Sequence, residues 1–376
     1  MKIVFTGGGT GGHFYPIIAV SERVNQIISK ENILGAKLYY ISTEPYDKQA
    51  LFENNLIFRE IPTGKMRTYF SIQNIFDIFK TFFGVLNALI RIFAIYPDVI
   101  FSKGGYAAFP VVFAAKLLNI PVIIHESDAG PGRVNVFASK FAKRVAISFK
   151  DSAEFFPKAT TVYTGQPVRK EIEQKEGREE SLRFWSLESD LPVLLVLGGS
   201  QGAELINNTV IDALPDLVKK YQIIHQTGVK NFKNVKARAD VVLESNVNKA
   251  RYTPIAFLNP LQMKMAAGAT ELIISRAGST IFEIASWGVP SILIPFTVSN
   301  ADHSKKNAFA YARAGACIVI EEMNMTANIL NSEIDRIISN KNVHISMSKN
   351  AQAFYKPDAA NTIAREIVDI ALSHEK

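Results

Sequence analysis

Short runs of β-branched and aromatic residues alternate with longer amphipathic segments along the whole chain. The short runs predict ten strands, and the segments between them have the helical spacing that joins parallel strands in βαβ units. Such continuously apolar strands are typical of parallel sheets that helices cover on both faces. The predicted strands are Lys2–Thr6, Lys37–Ser42, Val99–Ser102, Pro121–His125, Arg144–Ser148, Val193–Leu197, Gln222–Gln226, Leu272–Ser275, Ser291–Pro295 and Cys317–Ile320.

A charged segment without strand character, Lys170–Pro192, follows the first five strands. It suits a linker and a surface helix, so we place the domain boundary near Gln166–Arg169. The length of 376 residues agrees with two domains that each bury a core. We therefore predict two Rossmann-like, doubly wound parallel-sheet domains, residues 1–165 and 166–356, and a final helix over Asp358–Ser373.

The charge balance limits the class of ligand without choosing one. There are 42 Lys and Arg residues against 35 Asp and Glu, a net charge of +7. This suits a phosphorylated ligand, an anionic membrane or nucleic acid. The single cysteine, Cys317, excludes an internal disulfide and fits a reducing cytoplasm. Met1–Phe5, before the first glycines, is too short for a signal peptide.

One apolar stretch, Tyr69–Tyr96, resembles a membrane span in length. Four polar residues argue against a crossing helix: Asp77, Lys80, Asn87 and Arg91. Opposite them lies a broad apolar arc at helical spacing: Ile72, Ile75, Ile78, Phe79, Phe82, Phe83, Leu86, Leu89 and Phe93. Two interpretations stay open, a helix covered on two sides by the domain, or a helix that also touches lipid. In the second, Lys65, Arg67 and Lys80 would meet anionic headgroups.

Four glycine-rich turns follow apolar strands and open helices. They are GGGTGG at 7–12, SKGGY at 102–106, LGGSQGA at 197–203 and SRAGST at 275–280. Such turns direct backbone N–H groups and a helix N-terminus at an anion. Ligands of open parallel sheets bind at the carboxyl ends of strands. The sequence therefore predicts phosphate binding in both halves.

The first turn also satisfies G-x-G-x-x-G, the dinucleotide fingerprint, through Gly7, Gly9 and Gly12. Glu44 could then be the acid that binds a ribose. This dehydrogenase interpretation leaves the glycine turns of the second half unexplained.

His13 begins the helix after the first turn. The positive helix end favours a neutral imidazole that can accept a proton, although a histidine beside phosphate often only donates a hydrogen bond. Glu126, next to His125, is either catalytic or part of a buried structural pair. Arg169 either reaches a pyrophosphate or forms a linker salt bridge.

The second half carries its own candidates. Ser200 and Gln201 lie beside glycine amides that could bind phosphate. Glu283 either forms a capping box with Thr280 or accepts the two hydroxyls of a nucleotide ribose. No D-x-D, zinc-ligand, nucleophile-elbow or P-loop motif is present. The sequence thus predicts no metal and no cofactor, and helix ends, amides and basic side chains would stabilise a pyrophosphate.

These motifs, in this order, resemble the MurG family. The resemblance rests on GGGTGGHFYP, SKGGYAAFP, HESDAGPGRVN, TGQPVR, GGSQGA and RAGSTIFEIA…GVPSILIPF. It implies a GT-B fold whose last helix, about 357–376, returns to the first domain. It also implies inverting, metal-independent transfer of N-acetylglucosamine from UDP-GlcNAc to the 4-hydroxyl of lipid-linked N-acetylmuramyl-pentapeptide. The enzyme would lie peripherally on the cytoplasmic face of the bacterial membrane.

The resemblance also implies roles for individual residues. The catalytic residues would be His13 and Glu126. Donor binding would involve Thr10, Gly11, Gly12, Asn135, Arg169, Ser200, Gln201, Gly278, Ser279, Glu283 and Ser304. The acceptor pyrophosphate would meet Gly11, Gly12, Gly104, Gly105 and Tyr106. Membrane contact would come from Ile75, Phe79, Phe82 and Phe83.

The implied partners are UDP-GlcNAc, the lipid-linked acceptor, the anionic inner face of the cytoplasmic membrane and cell-wall synthesis proteins, but no nucleic acid. The chain departs from a common family pattern at Ser127-Asp128 and at Ser304, which bears on sugar selectivity. Alternatives within the fold are a UDP-GlcNAc 2-epimerase and another glycolipid glycosyltransferase. A non-catalytic nucleotide-binding scaffold is the alternative from another class.

Overall fold

A computed structural model describes residues 1–64, 73–198, 203–297 and 302–373. The chain divides into two compact units. The first contains Met1–Arg169 and Lys356–Lys376, and the second contains Lys170–Tyr355. Each unit is built around one parallel β-sheet.

The first unit has a seven-stranded sheet in the order β3-β2-β1-β4-β5-β6-β7, with every pair parallel. The strands are β1 (Lys2–Thr6), β2 (Lys37–Ser42), β3 (Leu56–Glu60), β4 (Val99–Ser102), β5 (Val122–Glu126), β6 (Arg144–Ile147) and β7 (Thr161–Tyr163). The helices are α1 (Gly11–Lys30), α2 (Lys48–Glu53), α3 (Gln73–Ile95), α4 (Phe109–Leu117), α5 (Arg133–Ser139) and the C-terminal α15 (Ala359–Leu372).

Side-chain alternation along β1 divides the core of this unit into two layers. Ile3 and Phe5 lie in a layer with α1 and α15, whereas Val4 points to the opposite face, which α3 and α4 cover. Ile367 of α15 is fully buried in the first layer. The C-terminal helix is therefore part of the first unit, as predicted.

The second unit has a six-stranded parallel sheet in the order β10-β9-β8-β11-β12-β13. Its strands are β8 (Val193–Leu197), β9 (Gln222–Gln226), β10 (Tyr252–Ile255), β11 (Leu272–Arg276), β12 (Ser291–Ile294) and β13 (Cys317–Val319). Its helices are α6 (Lys170–Glu173), α7 (Arg178–Trp185), α8 (Glu204–Lys220), α9 (Phe232–Val242), α10 (Pro260–Ala269), α11 (Thr280–Trp287), α12 (His303–Arg313), α13 (Ala327–Ser339) and α14 (Lys341–Phe354).

The strand order reverses once in each sheet, between β1 and β4 and between β8 and β11. Crevices for ligands open at such switch points, outside the carboxyl ends of the strands. Each of these four strands is followed by one of the four predicted glycine turns. The predicted fold class, two Rossmann-like parallel-sheet domains, is confirmed.

Three strands that the sequence did not predict, β3, β7 and β10, are all edge strands. Edge strands are partly exposed and need no continuous apolar run, so the signal that finds central strands is weak there. β10 even contains Pro254, which is tolerated at an edge because one side of the strand has no partner. Strands β1, β2, β4, β8 and β9 have the predicted bounds.

Replacing Ile367 by alanine should lower the free energy of unfolding by about 2–5 kcal/mol, because a cavity remains where α15 meets α1 and the sheet. Urea unfolding measures the loss. The control is Thr362→Ala, at an exposed position of the same helix. Equal stability of the two variants would contradict the packing of α15.

Candidate active site

The glycine turns after β1 and β4 lie against each other. The last β1–β4 partners in the ladder are Thr6 and Ser102, so both turns start at the same level. A Cβ atom added to Gly9, which has φ +89°, would lie 2.8 Å from Cε1 of Tyr106. One added to Gly105, with φ +78°, would lie 2.8 Å from Nδ1 of His13. Only glycine allows both this backbone conformation and this approach.

His13 lies half-buried in the first turn of α1. Its Nδ1 is 3.3 Å from the carbonyl oxygen of Gly8. When Nδ1 donates to this carbonyl, the imidazole has its lone pair on Nε2. His13 thus combines a helix N-terminus, a contact with Gly105 and a tautomer that can accept a proton. Thr10 is the extended N-cap residue, and Gly11 and Gly12 begin the helix.

Glu126, at the end of β5, is buried, and both of its carboxylate oxygens accept hydrogen bonds from the loop that follows it. One carboxylate oxygen accepts from the Asp128 amide at 3.0 Å, and the other accepts from the Gly132 amide and Asn135 Nδ2, both at 2.9 Å. Burial raises the pKa of Glu126, and these hydrogen bonds oppose the rise. Asn135 in turn packs against Gly104. The geometry is that of a carboxylate that orders the loop supporting the β4 turn.

Beneath this loop lies a buried polar network that the sequence did not reveal. Lys103 Nζ donates to His125 Nδ1 and Ser127 Oγ. Burial lowers the pKa of Lys103 to about 7. Burial, then the charge of Lys103, lowers the pKa of His125 well below its ordinary value. A lysine directly after an apolar strand and before two glycines was the available signal, but nothing in the sequence names its partners.

Arg169 is the last residue of the first unit, and its guanidinium carbon lies 3.9 Å from the centroid of the Tyr15 ring. Tyr15 itself makes an edge contact with Tyr46, with ring centroids 5.8 Å apart. The structure therefore brings Arg169 to the start of α1 through a cation–π contact.

In the second unit, the turn after β8 includes Ser200 and Gln201, which lie outside the described residues. At the turn after β11, Ser279 is the N-cap of α11, and Thr280 is already helical. Thr280 is therefore not the N-cap residue that the capping-box alternative for Glu283 assumed. Gly278 is exposed, and a Cβ atom on it would meet no atom of the described residues within 4 Å. Glu283 lies half-buried in the first turn of this helix.

The same edge holds an arginine that the sequence analysis missed. Arg276, at the end of β11, pairs with Glu322 at 2.6 Å and lies over the Phe296 ring at 4.1 Å. The buried hydroxyl of Ser304 accepts from the Phe296 amide at 3.1 Å. Arg276 and Ser304 thus hold the segment after β12. An arginine at the end of an apolar strand, beside a glycine turn, was the signal for it.

Helix α3 carries a large exposed apolar surface. Phe79, Phe82 and Phe83 are 61%, 58% and 61% exposed, whereas Ala88 and Ile92 are fully buried against the sheet. Within the described residues, Phe76–Ile95 is the one helix that is long and apolar enough to cross a membrane. The interpretation of this helix as covered on two sides by its domain is wrong. Lys65, Arg67 and the side chain of Ile75 lie outside the described residues.

In the described part of the chain, no three His, Cys, Asp or Glu side chains are grouped so that they could hold a metal ion. The polar groups at both switch points are instead glycine amides, helix N-termini, imidazole and guanidinium groups. Such groups stabilise phosphate oxygens by hydrogen bonds and dipoles.

Comparison with known families covers both units. The glycosyltransferase family 28 N-terminal domain matches residues 3–147, and the family 28 C-terminal domain matches residues 193–363. A Bacillus cereus protein named UDP-N-acetylglucosamine–N-acetylmuramyl-(pentapeptide) pyrophosphoryl-undecaprenol N-acetylglucosamine transferase 2 is 35% identical over 97% of this chain and 99% of its own. A Clostridium kluyveri protein with the same name, without the final numeral, is 34% identical over 96% and 97%.

Two solved structures are similar to this chain over almost its full length. MurG of Acinetobacter baumannii matches with a TM-score of 0.74 and 26% identity over 98% of this chain and 99% of that one. A UDP-GlcNAc 2-epimerase from Neisseria meningitidis, bound to UDP-GlcNAc, matches with a TM-score of 0.65 and 16% identity over 98% and 100%. At this low identity, the second likeness shows a shared fold alone.

Lys103→Met should weaken the dependence of stability on pH between pH 7 and 9. The unfolded chain keeps the Lys103 ammonium up to its ordinary pKa of 10.5, whereas the pKa in the folded protein is about 7. Folding therefore releases a proton in this window, and raising the pH favours the folded wild type. Its free energy of unfolding should rise by up to about 2 kcal/mol relative to the variant. Urea unfolding at pH 7, 8 and 9 measures this, and parallel pH profiles would contradict it.

Proposed function

The chain belongs to the MurG family of glycosyltransferases, and from this membership we propose that it transfers N-acetylglucosamine from UDP-GlcNAc to lipid-linked N-acetylmuramyl-pentapeptide. The protein is a glycosyltransferase of the GT-B fold, acting in peptidoglycan synthesis. The observation that carries the proposed chemistry is His13, which lies between two glycine turns at the switch point of the first sheet.

The reaction is a single displacement with inversion at the anomeric carbon. His13 Nε2 takes the proton of the acceptor 4-hydroxyl as its oxygen attacks this carbon. The bond between the anomeric carbon and the β-phosphate oxygen breaks, and UDP leaves with the electron pair. General-base assistance requires a neutral imidazole with its lone pair on Nε2. The hydrogen bond from Nδ1 to the Gly8 carbonyl selects this tautomer, and the positive helix end disfavours the protonated ring.

The acceptor diphosphate binds where the two turns of the first unit meet. Gly11 and Gly12 open α1, and Gly104, Gly105 and Tyr106 form the turn after β4. The four glycines offer backbone groups without Cβ atoms that would keep a phosphate at a distance. Glu126 is required because it orders the loop whose Asn135 supports Gly104.

The donor binds at the carboxyl edge of the second sheet. The accessible turn at Gly278 and Ser279 leads into α11, whose N-terminus suits a phosphate. Glu283, half-buried in the first turn of this helix, accepts the ribose hydroxyls. Arg169 binds the pyrophosphate, and Ser304 acts through the segment after β12. Thr10, Asn135, Ser200 and Gln201 complete the proposed donor set.

The leaving diphosphate is stabilised by amides, helix dipoles and guanidinium groups, so the reaction proceeds without a metal. The grouping of such donors at the switch points supports this proposal.

In the proposed function the enzyme is a peripheral protein on the anionic inner face of the cytoplasmic membrane, and helix α3 is the part that contacts lipid. Its exposed phenylalanines insert between headgroups, and Lys80 contacts anionic lipid. The lipid tail of the acceptor stays in the bilayer, so a bound enzyme meets the diphosphate at the interface. Cell-wall synthesis proteins are further proposed partners.

His13→Ala should lower the transfer rate about 100- to 10,000-fold while UDP still raises the melting temperature as in the wild type, because the base is lost and the donor site is not. The assay combines UDP-GlcNAc, a short-chain analogue of the lipid acceptor and EDTA. His344→Ala, in α14 of the second unit, is the matched control.

Wild-type turnover of UDP-GlcNAc to its manno epimer without acceptor would instead identify a 2-epimerase. Full activity of His13→Ala would exclude this residue as the base, and loss of wild-type transfer in EDTA would refute the metal-independent mechanism.

Replacing Phe79, Phe82 and Phe83 by serine should weaken binding to anionic vesicles at least about tenfold without lowering thermal stability, since all three side chains are exposed. Co-sedimentation with vesicles measures this. The control replaces Leu34, Phe52 and Val247, which are exposed apolar residues outside α3. Equal losses in the two triple variants would refute specific insertion of α3.

A further inference from the structure

Lys103 is among the largest fully buried side chains of the described protein, although lysine is rarely buried. It follows β4 directly and continues the ladder, since its backbone amide donates to the Thr6 carbonyl at 2.9 Å. Its Cβ lies under the first glycine turn, so that a Cβ added to Gly7 would approach it to 2.9 Å. The lysine therefore lies directly below both turns that we assign to the acceptor.

Two hydrogen-bond relays lead from Lys103 Nζ to one short segment. In the first, His125 accepts at Nδ1 and donates from Nε2 to the Gly165 carbonyl at 3.0 Å. In the second, Ser127 accepts from Lys103 and donates to Gln166 Oε1 at 3.0 Å. One assignment of the protons satisfies both relays: Ser127 Oγ accepts one hydrogen bond and donates another, and each nitrogen of His125 has a single role.

The segment that receives the relays is well anchored. Gln166 Oε1 also accepts from Ser148 Oγ at 2.8 Å, so it receives two hydrogen bonds. Gly165 has φ +83°, and a Cβ on it would lie 2.5 Å from the Lys356 Cβ. Both Gly165 and Gln166 are held within the first unit, and they form a fixed end for the relays.

The other end of the network is the glycine turn itself. Gly104 and Gly105 have φ of +73° and +78°. A glycine adopts positive and negative φ about equally readily, so its own backbone does not fix this conformation. Tyr106 and the following helical residues continue from it. Lys103 is the one residue that joins this turn covalently to the strand and, through Nζ, to the anchored segment.

We propose that Lys103 is a positioning residue, which fixes the Gly104–Tyr106 turn for the acceptor diphosphate by tying it through His125 and Ser127 to Gly165 and Gln166. The assignment of the turn to the acceptor rests on the proposed function. Lys103 does not touch the reacting atoms, and it acts through the backbone that follows it. The chemistry recognised is the diphosphate of the acceptor, not the sugar nucleotide.

This role explains the serine in the His125–Asp128 segment. A serine hydroxyl is short enough to accept from Lys103 and to donate to Gln166 in a closed space. The buried amine and its serine partner thus act together, and Lys103 keeps its second acceptor, His125, when the serine hydroxyl is removed. Their effects on acceptor binding should therefore not be additive.

The test uses the full chain with Ser127→Ala, Ser127→Thr and Lys103→Met, and the exposed Lys158→Met as control. Ser127→Ala should raise KM for the lipid acceptor about tenfold and change KM for UDP-GlcNAc less than about twofold. Ser127→Thr, which keeps the hydroxyl, should restore most of the loss. Lys103→Met should raise KM for the lipid acceptor more than Ser127→Ala does. The double variant should raise this KM no further than Lys103→Met alone.

Hydrogen–deuterium exchange of the ligand-free protein separates this inference from the proposed function. Peptides that cover 103–109 should exchange faster in Ser127→Ala than in wild type, whereas those that cover 278–286 should not change. Unchanged exchange at 103–109, or equal rises in both KM values, would overturn the inference. If wild type shows no transfer at all, the proposed function fails, and the exchange result still decides the role of Lys103. If Lys103→Met does not fold, the two Ser127 variants decide it.

Discussion

The pairing of β1 with β4 is the constraint on which the first unit depends. Parallel strands present their carboxyl ends at one edge, and the Thr6–Ser102 register brings two glycine turns to the same level. Helices on both faces bury the strands on both sides, which leaves this edge as the place where backbone polar groups can meet a ligand. The positions of His13, Tyr106 and Lys103 all follow from this pairing.

The site is built in two layers with different chemistry. The outer layer offers glycine amides and the imidazole of His13, which are accessible because no Cβ atoms intervene. The inner layer is polar and closed, with Glu126 held by three hydrogen bonds and the pKa of Lys103 lowered by burial. Buried polar groups are tolerated when they are hydrogen-bonded, and these bonds hold Glu126 and Lys103 in one arrangement, although Asn135 Oδ1 has no hydrogen-bond partner among the described residues. The inner layer thus gives a flexible glycine turn a defined shape.

The second unit repeats the same plan with other side chains. Its switch point between β8 and β11 again carries glycine turns, and Arg276 with Glu322 orders the neighbouring segment after β12. A salt bridge between partly buried groups and a stacked aromatic ring does here what the lysine network does in the first unit. Family membership and the chemistry of the two edges lead to one reaction, in which a sugar passes from one diphosphate-bearing molecule to another.

The sequence by itself determined the central strands, the four glycine turns, the position of His13 and the apolar arc of α3, because each depends on residues close together in the chain. The sequence did not predict edge strands such as β10, because a partly exposed strand lacks the continuous apolar run that marks a central strand. Only the tertiary structure decided that both Glu126 oxygens are hydrogen-bonded, that the α3 phenylalanines are exposed and that Lys103 has partners. The partners of Lys103 lie 22 and 24 residues away, and the relays end at Gly165 and Gln166. Contacts at such separations are set by strand order, which no local pattern of side chains encodes.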